Sequence, residues 1–182
     1  MVMEDLIMSI SRETIEYDFY HSRFGEVLIA RSSEGLCRLD FVGRNRGKAI
    51  RRLATDHSNA SLRERSGKLV GPASAAFSPN NADRPRIHFQ GTDFQIAVWK
   101  ALLEIPAGAT VSYQWVAERV ERPRAVRAVA NAIASNRMAY LVPCHRVIRS
   151  DGALGGYHWG VRLKSAMLEW EKAKFQAQTS RH

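Results

Sequence analysis

The succession of elements in this chain predicts an α/β (α+β) fold. A small N-terminal sheet domain spans residues 1–90, and a mostly helical C-terminal domain with a helix-turn-helix spans residues 91–182. Three observations carry the prediction. Between Ile15 and Phe41 lie three short runs rich in β-branched and aromatic residues. A capping box at Thr92 opens a stretch of helical apolar spacing. Beyond it, two short helices meet at the turn Glu121-Arg122-Pro123. A composition of 45% hydrophobic and 25% charged residues over 182 positions suits one good core or two small ones and excludes a wholly disordered chain.

The N-terminal runs are Ile15–Tyr20, Glu26–Arg31 and Gly35–Phe41. Phe24-Gly25 and Ser32-Ser33-Glu34-Gly35 supply turn chemistry between them, so an antiparallel meander is expected. Cys37, set among Leu36, Leu39 and Phe41, reads as a small packed apolar side chain. Lys48–Asp56 has helical spacing, with Ile50 and Leu53 inward and Arg51 and Arg52 outward. Ser58–Arg84, rich in Ser, Asn, Ala, Pro and Gly, reads as a loose connection with room for a short helix, and Arg86–Gln90 as a last strand closing the sheet.

Thr92 and Gln95 can each satisfy an orphan donor of a helix's first turn. Phe94, Val98, Ala101, Leu102 and Ile105 then form one stripe, which predicts a second domain with its own core. Ser112 caps a helix over Tyr113–Val120, and a second helix runs from Arg124 to Ser135. On the latter, Val126, Val129 and Ile133 share one face, while Arg124, Arg127, Ala128, Asn131 and Ser135 share the other. Small residues beside arginines let a helix approach a phosphate backbone closely; a solvated face is the plainer reading. Charge favours the former. The net charge is +9, and Val111–Arg149 alone carries 7 basic and 2 acidic side chains.

Cys144 and His145 follow the apolar run Leu141-Val142-Pro143. A thiol reacts as its thiolate, so a nucleophilic Cys144 needs a base, and His145 is adjacent; a packed, inert Cys is the plainer alternative. Gly152, Gly155, Gly156 and Gly160 permit close approach of a flat ligand, and Tyr157, His158 and Trp159 among them suit either base stacking or core filling. In the final helix, Val161–Phe175, the stripe Leu163, Met167, Leu168, Trp170 and Phe175 includes Glu171, a carboxylate that needs a partner. It reads as the third member of a Cys144–His145–Glu171 relay, with a local pair to Lys164 as the competing explanation.

Only Cys37 and Cys144 are present, with no CxxC spacing, so neither a disulfide framework nor zinc is expected. No apolar run approaches the ~20 residues a membrane-spanning helix needs, and the N-terminus lacks a signal-peptide pattern. A cytoplasmic, intracellular protein without membrane association is expected.

Pro143-Cys144-His145-Arg146-Val147, with Arg127-Ala128-Val129 and Asn136 before it and Gly156-Tyr157 and Lys164 after it, closely resembles the O6-alkylguanine-DNA alkyltransferase family. Similarity is dense from Gly91 to Glu171 and looser in the N-terminal sheet. The resemblance implies a ribonuclease-H-like N-terminal sheet and a monomer that binds double-stranded DNA through its minor groove. It further implies flipping of O6-alkylguanine and transfer of the alkyl group to Cys144, once per molecule, without metal or cofactor. Carried over by position, His145 acts through a water with Glu171 behind it. Tyr113 promotes flipping and protonates the departing guanine, Arg127 fills the vacated stack, and Asn136 ties the recognition helix to the active-site turn. Backbone groups at Cys144, Val147 and His158, with the Tyr157 ring, read the base edge. Relatives often carry Gly where this chain has Glu121, so the first helix of the pair lacks an easy αL cap and a differently shaped turn is expected. Two other functions compete: a helix-turn-helix module that only binds alkylated DNA, and a Cys-His hydrolase.

Overall fold

The structure is a computed structural model that describes residues 13–43, 45–78 and 84–179, with side chains to Phe175. Strands β1 (Thr14–Ser22), β2 (Gly25–Arg31) and β3 (Leu36–Phe41) form the expected antiparallel meander. Helix α1 (Arg46–Asp56) follows, its first turn capped by Asn45, whose side chain accepts from the Lys48 amide at 2.9 Å. Ala49 and Leu53 are its buried residues, while Ile50 sits at the margin.

The predicted connection is more ordered than its composition suggested. It holds β4 (Ser61–Glu64) and α2 (Val70–Ala76); residues 79–83 of it lie outside the described part. β4 pairs parallel with β1, giving the order β3-β2-β1-β4. The strand expected at Arg86–Gln90 reduces to one parallel bridge, Leu36 to Ile87. Gly35 permits that approach, since a Cβ there would stand 2.6 Å from the Arg86 carbonyl. The segment then leaves the sheet and Phe89 stacks on Trp99.

Alternation along β2 sends Val27 and Ile29 to one face and Leu28 and Ala30 to the other, and all four are fully buried. The second face, with Ile15, Cys37 and Tyr17, is covered by Ala49 and Leu53 of α1. Burial pushes the Cys37 thiol up to about 12, in keeping with an inert packed side chain. The first face belongs to one core shared with the C-terminal half. Val27, Ile29, Leu36 and Leu39 join Val98, Trp99 and Leu102 of α3 (Asp93–Leu102), Val116 of α4 (Tyr113–Arg119), Val129 and Ile133 of α5 (Val126–Ala134), and Met167 of α6 (Val161–Thr179). The separate C-terminal core expected from the α3 stripe is therefore continuous with the sheet's, because both faces of a central strand must be covered.

Two features aim the reactive turn. The capping box at Thr92 fixes the start of α3, and the Trp99 indole donates to the Ala132 carbonyl at 2.8 Å, binding α3 to α5. The free edge of β3 holds the segment before Cys144: Leu39 donates to the Arg137 carbonyl at 2.9 Å and accepts from the Ala139 amide at 2.8 Å. Two-residue strands β5 (Val111–Ser112) and β6 (Val147–Ile148) clamp the far side. Glu121 takes the left-handed conformation anyway, at φ 56°, and the Arg122 amide closes onto the Ala117 carbonyl at 2.8 Å. The turn expected to differ thus keeps an αL residue, imposed on a side chain that favours it little. Among the described residues no helix is long and apolar enough to cross a membrane.

Candidate active site

Cys144 opens a 3-10 turn, Cys144–Arg146, and is 4% exposed. Its sulfur accepts from Asn136 Nδ2 at 3.0 Å, and the same amide donates to the Val142 carbonyl at 3.0 Å. Asn136 follows the C-terminus of α5, and these two bonds run from it to the segment that holds Cys144. Burial holds the thiol up at about 11, against the pull of the Asn136 hydrogen bond and the Lys164 charge. The resting sulfur is a protonated thiol.

His145 and Glu171 are both fully buried and meet at 3.0 Å, Nε2 to Oε1. Burial drives the Glu171 carboxyl up, but hydrogen bonds from His145 and Arg146 outweigh it and draw the carboxyl down to about 2. An ionised carboxylate only accepts, so His145 Nε2 carries the proton and Nδ1 offers its lone pair. Nδ1 is buried without a partner among the described residues, and burial keeps His145 below its ordinary value, hence neutral at pH 7.

The partner of Glu171 that sequence reasoning missed is Arg146. It donates through Nη2 to Oε1 at 2.7 Å and through Nε to Oε2 at 3.0 Å, while Nη1 reaches the Ile105 carbonyl at 2.6 Å. A cation set between the apolar run Leu141-Val142-Pro143 and Val147 was the available signal, since a buried guanidinium requires a buried carboxylate. The alternative pairing of Glu171 with Lys164 does not occur. Lys164 Nζ instead donates to the carbonyls of Val147 at 2.6 Å and Leu154, and burial lowers it to about 8. One Val147 lone pair, expected to face the substrate, is thereby used internally.

A cavity of about 340 Å³ opens over Cys144, bounded by Tyr113, Ala130, Ile133, Ala134, Gly156, Tyr157 and His158. Gly155, at φ 67°, could not be replaced freely: a Cβ there would stand 3.2 Å from the Tyr113 hydroxyl. Burial raises Tyr113, so it is a neutral phenol and a donor. Tyr157 donates to Met167 Sδ at 3.5 Å, leaving its ring on the cavity wall. The wall is tied to the sheet where the Trp159 indole donates to the buried Asp40 carboxylate, itself 3.1 Å from the Arg38 guanidinium. Asp40 gave no signal in sequence beyond its place in a strand.

Arg127, Ala128 and Asn131 lie exposed on one side of α5, with Arg124 exposed in the turn before it. Arg127 and Tyr113 line a cleft that shares Ala130 with the cavity. Ser135 departs from this face: it is half-buried, accepts from Gln95 Nε2 at 3.1 Å and donates to the Ala132 carbonyl at 2.8 Å.

Fold and site together define a protein in which a helix-turn-helix stands beside a buried cysteine at the base of a ligand-sized cavity. The family model for "6-O-methylguanine DNA methyltransferase, DNA binding domain" matches residues 93–173. The methylated-DNA–protein-cysteine methyltransferase of Methanosarcina barkeri is 38% identical over 158 residues, covering 86% of this chain and 96% of that protein. The bifunctional transcriptional activator/DNA repair enzyme Ada of Escherichia coli K12 is 39% identical over 167 residues, covering 86% of this chain; the chain spans 45% of Ada's length. The crystal structure of Mycobacterium tuberculosis O6-methylguanine methyltransferase superposes with a TM-score of 0.72 at 33% identity, covering 87% of this chain and 93% of that one. The chain belongs to the methylated-DNA–protein-cysteine methyltransferase family.

Proposed function

We propose that the chain repairs DNA by moving the alkyl group of O6-alkylguanine, methyl above all, onto Cys144. The observation that carries this reading is the cavity itself, with the Cys144 thiol at its base and the exposed arginine face of α5 beside its mouth. A relative from Mycobacterium tuberculosis, 34% identical with a TM-score of 0.71, has been solved in complex with DNA.

In this reading Arg124, Arg127, Ala128 and Asn131 meet duplex DNA in its minor groove, and Ser135 supports the helix end from within. Arg127 replaces the extruded base, which offsets the few kcal/mol that unstacking costs. The flipped guanine enters between Tyr113 and Tyr157, with backbone groups at Cys144, Val147 and His158 along its edge. His145 Nδ1 takes the thiol proton through an intervening water. The sulfur electron pair forms the S–C bond, the pair of the C–O6 bond leaves on the guanine oxygen, and Tyr113 supplies the proton guanine gains. His145 then gives up the thiol's proton to solvent and Tyr113 regains one from solvent, so that overall one proton passes from the thiol to guanine. The product is a thioether that no neighbouring group can hydrolyse, so each molecule reacts once. Glu171 keeps His145 in the correct tautomer, and Asn136 stabilises the developing thiolate.

The reading treats residues 1–90 as the supporting domain and 91–182 as the DNA-binding and transfer domain, in line with the family match beginning at residue 93. A monomer needing no cofactor, working in the reducing cytoplasm, suits a chain whose reactive cysteine is free. The test is incubation with duplex DNA containing O6-methylguanine, followed by mass measurement of the Cys144 peptide. A gain of one methyl group is expected, and an unmodified peptide would refute the assignment.

A further inference from the structure

Tyr140 stands four residues before Cys144 with φ at 61°, a left-handed conformation that bulky side chains avoid. The surrounding chain imposes it. Ala139, the residue before, is pinned to Leu39 of β3, and the Leu141 amide closes back onto the Ala139 carbonyl at 2.6 Å. Val142 donates to the Met138 carbonyl at 3.0 Å. Strain retained this way beside a reactive group points to a purpose for the side chain it aims. That side chain lies flat against His145, with ring centroids 5.1 Å apart and planes 11° from parallel. Phe77 also stacks on it, at 5.2 Å and 26°. The Tyr140 hydroxyl is buried beside the Glu171 carboxylate, yet among the described residues it has no partner in hydrogen-bond geometry, so the ring stack is the contact that the site's geometry establishes.

We propose that Tyr140 is a positioning residue for His145, a platform that fixes the imidazole plane and stabilises, through its ring face, the imidazolium formed during alkyl transfer. The proposal rests on the reading of Cys144 as the alkyl acceptor. Its physical need lies in the charges around His145. Glu171 of α6 favours an imidazolium there, whereas Arg146 of the same turn and Lys164 of α6 oppose it. Tyr140 itself is faced by Glu171, Arg146 and, from the β1–β2 turn, Arg23; Arg84 lies near Tyr140, Arg146 and Glu171 as a further cation. One carboxylate thus serves a new cation among several existing ones. An aromatic face parallel to the imidazolium adds attraction without adding a titratable anion.

The test uses the full chain and free O6-benzylguanine, reading the rate of Cys144 alkylation against pH. Tyr140→Phe keeps the ring and should react at the native rate. Tyr140→Leu should slow the reaction roughly tenfold. It should also move the acid limb, where His145 becomes protonated in the resting protein, to lower pH. Replacement of Tyr140 by pentafluorophenylalanine keeps the shape and reverses the ring's electrostatics; it should reproduce both changes, and it answers the question if Tyr140→Leu fails to fold. A fluorinated variant with the rate and limb of Tyr140→Phe, or a Tyr140→Leu variant that folds and is slowed with the limb unmoved, would overturn the proposal. If the native chain takes no benzyl group, the assignment of Cys144 as acceptor fails instead.

Discussion

Cys144 combines a nucleophile's position with a thiol that resists ionisation. Burial holds it at about 11, so below that value the resting sulfur keeps its proton, and a bystander electrophile should find little thiolate. Alkylation of Cys144 by iodoacetamide is therefore expected to rise about tenfold per pH unit from 7 to 10. Transfer from O6-benzylguanine should instead stay nearly flat over that range if, as proposed, neutral His145 takes the proton during the reaction. Parallel profiles, followed by peptide mass, would refute proton transfer to His145. The Cys144-His145 pair and the carboxylate of Glu171 were legible in sequence, since a nucleophile needs a base and a carboxylate within an apolar stripe needs a partner. Arg146 and Tyr140 were not. Their contacts join residues 25 and 63 positions distant, Glu171 and Phe77 respectively, and periodicity along one helix carries no information about a partner on another element.

The helix-turn-helix shows how an element can be right while its detail is unexpected. Pattern alone located α4 and α5 and separated Val129 and Ile133 from the exposed Arg127 and Ala128. It did not reveal that Glu121 would adopt φ 56°, because the Arg122-to-Ala117 hydrogen bond and the packing of both helices decide that conformation. A non-glycine residue there costs roughly 1–2 kcal/mol, of which glycine's greater chain entropy returns about 0.4–1. Glu121→Gly should therefore raise stability by roughly 0.5–1 kcal/mol in urea unfolding, and a loss would show that the Glu121 side chain is itself holding the turn. The predicted stripe of α6 was shifted for a related reason. Its fully buried line is Lys164, Met167 and Glu171, two of them charged, while Leu163, Leu168 and Trp170 flank it half-exposed. Apolar periodicity located the inward side of the helix and Glu171 within it, but not that Lys164 is fully buried on the same line.

At the scale of the whole molecule, the sheet and the reactive turn are one packed body. The β3 edge holds Arg137–Ala139, Asp40 holds Trp159 next to the cavity-lining His158, and Phe77 packs on the ring stacked on His145. The connection carrying Phe77 was opaque in sequence because Ser, Pro and Gly dominate it, and tertiary pairing with β1 overrode that composition. Glu171 sits at the junction, bonded to His145, Arg146 and the Gly108 amide at 3.0 Å. Its folded value, about 2, lies below the ordinary 4.5, so the stability it contributes is complete above pH 4.5 and lost as pH falls toward 2. Glu171→Gln should cost roughly 3 kcal/mol at pH 7, leaving Arg146 unpaired, and should flatten the acid-unfolding slope between pH 4.5 and 2. An unchanged slope would place the acid sensitivity elsewhere.

The central claim, that Cys144 is consumed by the reaction it performs, is tested most directly by titrating the protein with a large excess of duplex DNA containing O6-methylguanine and counting guanines restored per chain. A plateau at one per chain, with the methyl group on Cys144, is the predicted result. Continued repair beyond one equivalent, or none at all, would contradict it.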